Sequence, residues 1–115
     1  MYRFSYAEVL EETPQTARER ERLALQHSID LLKIAGEKGP SSREAIDAIY
    51  FVRRVWAFLI EDLAKPENDL PAQLRADLIS VGLWILKEAE QVRLGNSTNF
   101  KGLMEVSQLI ADGLQ

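Results

Sequence analysis

Between Ala48 and Leu63 the chain reads AIYFVRRVWAFLIEDL, an almost unbroken apolar run with two arginines side by side at its middle. At about 100° per residue, Ala45, Ile49, Val52, Trp56, Leu59, Ile60 and Leu63 fall on one face, the apolar stripe of a helix that packs on a core. Arg53 lies at the edge of that stripe. Arg54 points nearly opposite, beside Asp47 and Glu61 and flanked by Tyr50, Phe51 and Phe58.

An isolated buried charge is too costly to keep, so each arginine must be paired, solvated or offered to a partner. The positions three and four residues away, where helical side chains meet, hold Ile49, Tyr50, Phe51, Trp56, Ala57 and Phe58 and no carboxylate. For Arg53 the expected arrangement is a stem covering apolar surface and a head paired with an acid on a neighbouring helix, Asp77 or Glu88. Two readings stay open for Arg54. It is either a solvated cation stacked on Tyr50 or Phe58, or part of a partner-binding patch, since arginine and aromatics together compose interface hot spots.

Working outward, Pro66 ends this helix near Lys65, and Ser41 followed by Glu44 predicts a capping box at its start after the turn GEKGPSS. Upstream, Thr13 and Pro14 read as cap and first position of a helix running to about Gly36, with Leu25, Ile29 and Leu32 as its apolar line. The RERER tract within that helix alternates signs and is expected to be mostly solvated. SYAEVLEE offers a short extra leading helix. Downstream, Pro71 opens a third helix that Gly95 closes, with the core line Leu74, Leu78, Val81, Ile85 and Val92. Asn96, Ser97, Thr98 and Asn99 supply caps for a last helix with the line Phe100, Leu103, Val106, Ile110 and Leu114.

These periods leave no strand alternation, and the connections are short. The expected architecture is all-α, a single-domain bundle of about four helices over residues 1–115, mostly antiparallel. The third helix is apolar nearly all round in LISVGLWIL, where Ile79, Leu83, Trp84 and Leu86 lie off its core line. Either the second and third helices form a central hairpin sandwiched by the others, or they leave a groove for another protein. Tyr50, Phe51, Arg54, Phe58, Leu83 and Trp84 are the candidate partner-binding residues.

Composition excludes several functions. With no cysteine, disulfides, thiol nucleophiles and cysteine-ligated zinc are absent. The one histidine, His27, cannot supply the paired Glu-x-x-His motifs of a di-iron bundle, and no nucleophile elbow or phosphate loop occurs. A non-enzyme without cofactor or metal is expected. A net charge of −4 with mixed signs argues against direct RNA or DNA binding through a positive field. The start MYRFSYAEV has no apolar stretch of signal-peptide length, and LISVGLWIL falls short of the roughly 20 residues that span a bilayer. A cytoplasmic protein with no membrane partner is expected.

The segments SYAEVLEETP, ARERERLAL, YFVRRVWAFLIEDLAKPENDLP, LRADLISVGLWILKEAEQVRLG and NFKGLMEVSQLIADGL together resemble the FlaF family of flagellar biosynthesis regulators of alphaproteobacteria. The resemblance spans nearly the whole chain and is most specific from Ile49 to Gly95. It implies a small non-enzymatic cytoplasmic factor needed for flagellin production, flagellum assembly and motility, acting with and against FlbT, which restrains flagellin mRNA translation. It also implies direct association with flagellin in the manner of a secretion chaperone, and the helix-forming terminal segments of flagellin suit a groove on a bundle. Two other readings remain: post-transcriptional control by contact with flagellin mRNA, alone or through FlbT, and an adaptor whose surplus apolar surface forms a homodimer.

Overall fold

A computed structural model describes residues 14–114 as four helices, α1 Pro14–Lys38, α2 Arg43–Ala64, α3 Ala72–Arg93 and α4 Phe100–Gly113, with no strand among them. The expected all-α bundle is therefore observed. The leading helix read from SYAEVLEE and the cap at Thr13 lie outside the described residues.

Local chemistry sets the helix ends. Gly39 adopts φ +103 at the α1–α2 turn. The cap of α2 is Ser42, one residue later than expected, because Ser41 is taken up by that turn. The Ser42 hydroxyl donates to the Gly39 carbonyl at 2.6 Å and accepts from the Ala45 N–H at 3.1 Å. Position three after the cap is thus Ala45, and no reciprocal box with Glu44 forms. Arg75, in the first turns of α3, reaches back to the carbonyls of Leu63 and Lys65, both at 3.3 Å. It supplies donors that the last turn of α2 lacks. α3 ends in a Schellman motif, with Asn96 N–H on the Gln91 carbonyl at 2.8 Å and Gly95, at φ +81, bonded to Val92. Asn99 caps α4 by accepting from the Gly102 N–H at 2.9 Å.

Antiparallel packing follows from pairs whose numbers run in opposite directions: Glu21–Asp62 and His27–Phe51 across α1 and α2, Trp56–Gly82 and Arg53–Glu90 across α2 and α3, and Gln26–Gln108 and Gly36–Phe100 across α1 and α4. α1 lies against α2 and α4, and α2 against α3, while α3 and α4 touch only narrowly. The helices therefore make a four-sided bundle with one thin side. The α2–α3 hairpin is not a centre sandwiched by the others: α3 forms an outer side, because the 14-residue α4 spends its buried face, Leu103, Ser107 and Ala111, on the bundle interior and α1. Leu83 and Trp84 consequently stay exposed.

Leu25, Ile29 and Leu32 of α1 join Ile49, Val52, Trp56 and Leu59 of α2, Ile85 and Val92 of α3, and Phe100 and Leu103 of α4 in one core. Trp56, 1% exposed, crosses the bundle and donates its indole N–H to the buried Ser107 hydroxyl at 3.4 Å. The core line expected for α3 is incomplete. Leu74 is exposed, and the seam is completed by buried Gly82 and Ala89. A Cβ on Gly82 would sit 2.9 Å from the Trp56 ring and from the Ile60 side chain. The Ile60 end can swing aside, whereas the enclosed indole cannot. Gly82→Ala is therefore expected to cost about 1–2 kcal/mol, overpacking of about 1–3 less the gain in helix propensity. Urea denaturation followed by circular dichroism checks this; an unchanged or raised midpoint would contradict the close approach.

Candidate partner-binding groove

The outward side of α2 carries Ile46, Tyr50, Arg54 and Phe58 at successive four-residue steps, a stripe of about 18 Å along the helix. Its apolar members are 62%, 61% and 54% exposed. Exposure this high, at three of four successive turns, is surface that the bundle does not use. Arg54 holds the middle. Its Nη1 donates to the Tyr50 hydroxyl at 3.2 Å and its Cζ lies 5.6 Å from the centre of that ring. Of the two expected stacking partners, Tyr50 is the one used. Among the described residues no carboxylate pairs with Arg54.

Beside the stripe runs a groove of about 1020 Å³ between α1 and α2. Tyr50, Phe51, Arg54 and Phe58 line it, opposite Ala17, Glu21 and Ala24 of α1. Phe51 packs against the core from there, and the His27 ring meets it edge-on, with centroids 4.9 Å apart. Four of the six candidate residues thus share one concave surface. Leu83 and Trp84 do not line it: they stand exposed on α3, 56% and 41%.

Arg53 pairs with neither expected acid. Its Nη1 is 3.7 Å from Glu90 Oε1. Glu88, about 200° round α3 from Glu90, accepts instead from the Ser97 hydroxyl at 2.9 Å. Asp77 accepts from Gln73 at 2.9 Å. Glu90 also accepts from Nε and Nη2 of Arg93, which holds its carboxyl below the ordinary range, with Arg53 adding a smaller pull.

The RERER tract is not uniformly solvated. Arg18 pairs with Asp69 and Arg22 with Glu19, while Glu21 turns inward to the Asp62 carboxyl and lines the groove. A signal for this was present. Glu21 continues the line Leu25, Ile29 and Leu32 by one turn toward the N-terminus, and so belongs to the buried side. Burial pushes its carboxyl up to about 8, helped by the hydrogen bond and charge of Asp62 and opposed by Arg18 and Arg20. Unfolded, a glutamic acid loses its proton near pH 4.3. Between these values the folded chain holds the extra proton, so stability falls as pH rises from about 4.5 through 8. Solvent at the groove screens the effect to about 1–2 kcal/mol. Thermal melts at pH 6 and pH 9 should show the loss. Glu21→Gln, which keeps a donor toward Asp62, should flatten it; an equally steep profile would place the proton elsewhere.

Among the described residues no group of three or more His, Cys, Asp or Glu side chains is placed to hold a metal ion. No described helix is long and apolar enough to cross a membrane. What the groove offers is apolar area, Arg54 near one end and, near the other, the Glu21–Asp62 pair with Arg20, Lys65 and Glu67 beside it.

No curated protein and no solved structure matches the chain. The model of the family described as flagellar protein FlaF matches residues 2–114, nearly every residue of the sequence. A match over this span shows the family: the chain belongs to the FlaF family of flagellar proteins.

Proposed function

We propose that this chain regulates flagellin synthesis and flagellum assembly as a non-enzymatic, cytoplasmic, chaperone-like protein that binds flagellin in the α1–α2 groove and works with or against FlbT. The observation that carries the reading is the conjunction of an open groove with unused aromatic surface and Arg54 along one rim. A helix laid in a groove is recognised by apolar anchors at three- and four-residue spacing, and the stripe of α2 has that period. A segment that folds only on binding can wrap such a surface. The mixed charges of the chain suit this better than contact with an mRNA leader, which needs a positive field.

Calorimetry with the terminal helical segment of the cognate flagellin tests the proposal. Saturable one-to-one binding is expected. No heat and no co-purification with full-length flagellin would overturn it, and a shifted flagellin leader RNA in a gel assay without FlbT would replace it with direct post-transcriptional control.

A further inference from the structure

The groove is not uniform along its length. Near one end Arg54 reaches Tyr50 and no carboxylate among the described residues. Eight residues further along α2, about 12 Å away, Asp62 meets Glu21 of α1. Both carboxyls line the groove and neither stands in an ion pair among the described residues, since the adjacent Arg18 is taken by Asp69. Two carboxyls in contact repel unless they share a proton or a cation sits between them. Arg20, Lys65 and Glu67 also line the groove beside this pair. Between Arg54 and the pair the surface is apolar, with Val55, Phe58 and Leu59 on α2, and Ala17 and Ala24 on α1 leave room for close backbone approach. From end to end the groove offers Arg54, an apolar stretch and the carboxyl pair with Arg20, Lys65 and Glu67 around it.

We infer that the occupant is an amphipathic helix with an acidic and a basic side chain two turns apart on its apolar face, the acid seated on Arg54 and the base on the Glu21–Asp62 pair. This rests on the reading that the groove takes a helix and adds which helix it selects. Seven or eight residues separate two such side chains on one helical face, and that matches the spacing of the two charged stations. The guanidinium offers a bidentate fork to the incoming carboxylate, and the incoming cation takes the place of the proton that the two carboxyls share. Charge placement of this kind fixes register and rejects wrong partners, while apolar anchors supply affinity.

The test uses the full chain and synthetic 18-residue helical peptides that share one apolar face. They carry Glu and Lys eight residues apart, or Gln at both positions, or Glu at both, or Lys at both. Fluorescence anisotropy should rank the Glu/Lys peptide roughly tenfold above the Gln/Gln peptide and further above either like-charged one. Arg54→Gln should erase part of the Glu/Lys preference over Gln/Gln, and Asp62→Asn with Glu21→Gln another part; the peptide substitutions report even if a protein variant is unstable. Equal binding of all four peptides by a chain that binds flagellin would overturn the charge code and leave the flagellin reading standing. Preference among the peptides with no flagellin binding would retire flagellin as partner and keep the code.

Discussion

Trp56→Ala is expected to lower folding stability by about 3–5 kcal/mol, as truncation of a fully enclosed large aromatic does. The indole is 1% exposed, packs against the backbone of α3 at Gly82 and reaches α4 at Ser107. Removing it opens a cavity at the point where α2 holds two other helices, which have little contact of their own to hold them together. A domain of this size commonly has only about 5–15 kcal/mol in total, so the variant should be largely unfolded in dilute urea. Trp56→Phe keeps most of the apolar volume but leaves the Ser107 hydroxyl without its donor, for about 1–3 kcal/mol. Urea denaturation followed at 222 nm reads both changes. A loss below about 1 kcal/mol for the alanine variant would contradict the tryptophan's role as the cross-bundle anchor.

Phe58→Ala combined with Arg54→Glu should weaken flagellin binding by at least about 30-fold, the loss of roughly 2 kcal/mol that marks a hot spot. Phe58 is 54% exposed and, among the described residues, the guanidinium of Arg54 is bonded only to Tyr50, so the fold depends on neither. Stability should stay within about 0.5 kcal/mol of the parent. That separation makes the pair informative, since a binding loss without an unfolding shift cannot come from damage to the core. Trp84→Ala is the matching control. It removes an exposed aromatic of similar bulk on α3, away from the groove, and should leave flagellin affinity unchanged. Calorimetry with the flagellin segment compares both variants with the parent, and urea denaturation reads their stability.

What could be read from the sequence was what the residues state locally. The face of α2 from Ala45 to Leu63 emerged from helical period alone, and only Ile60 is less buried than that period predicts. Pro66, Pro71 and Gly95 marked helix ends because a missing N–H or a left-handed φ leaves few alternatives. The places where reading stopped depend on a second helix. Nothing in Gly82 itself tells that an indole lies against it. Arg53 needed an acid, but choosing Glu90 over Glu88 required the rotation of α3 about its axis. The order of the helices round the bundle follows from how a short α4 divides its one apolar face, and this separated Leu83 and Trp84 from the other four candidate residues. Glu21 was legible and overlooked: its charge pattern suggested solvent, while its position on the line of Leu25 pointed inward.

The groove as the flagellin site is tested most directly by nitrogen–proton NMR of the labelled chain titrated with the cognate flagellin segment. Shifts are expected to cluster at residues 17–24 and 50–62, with the indole signal of Trp84 unmoved. Shifts confined to the outer face of α3 around Leu83 and Trp84, or none at saturating flagellin, would contradict it.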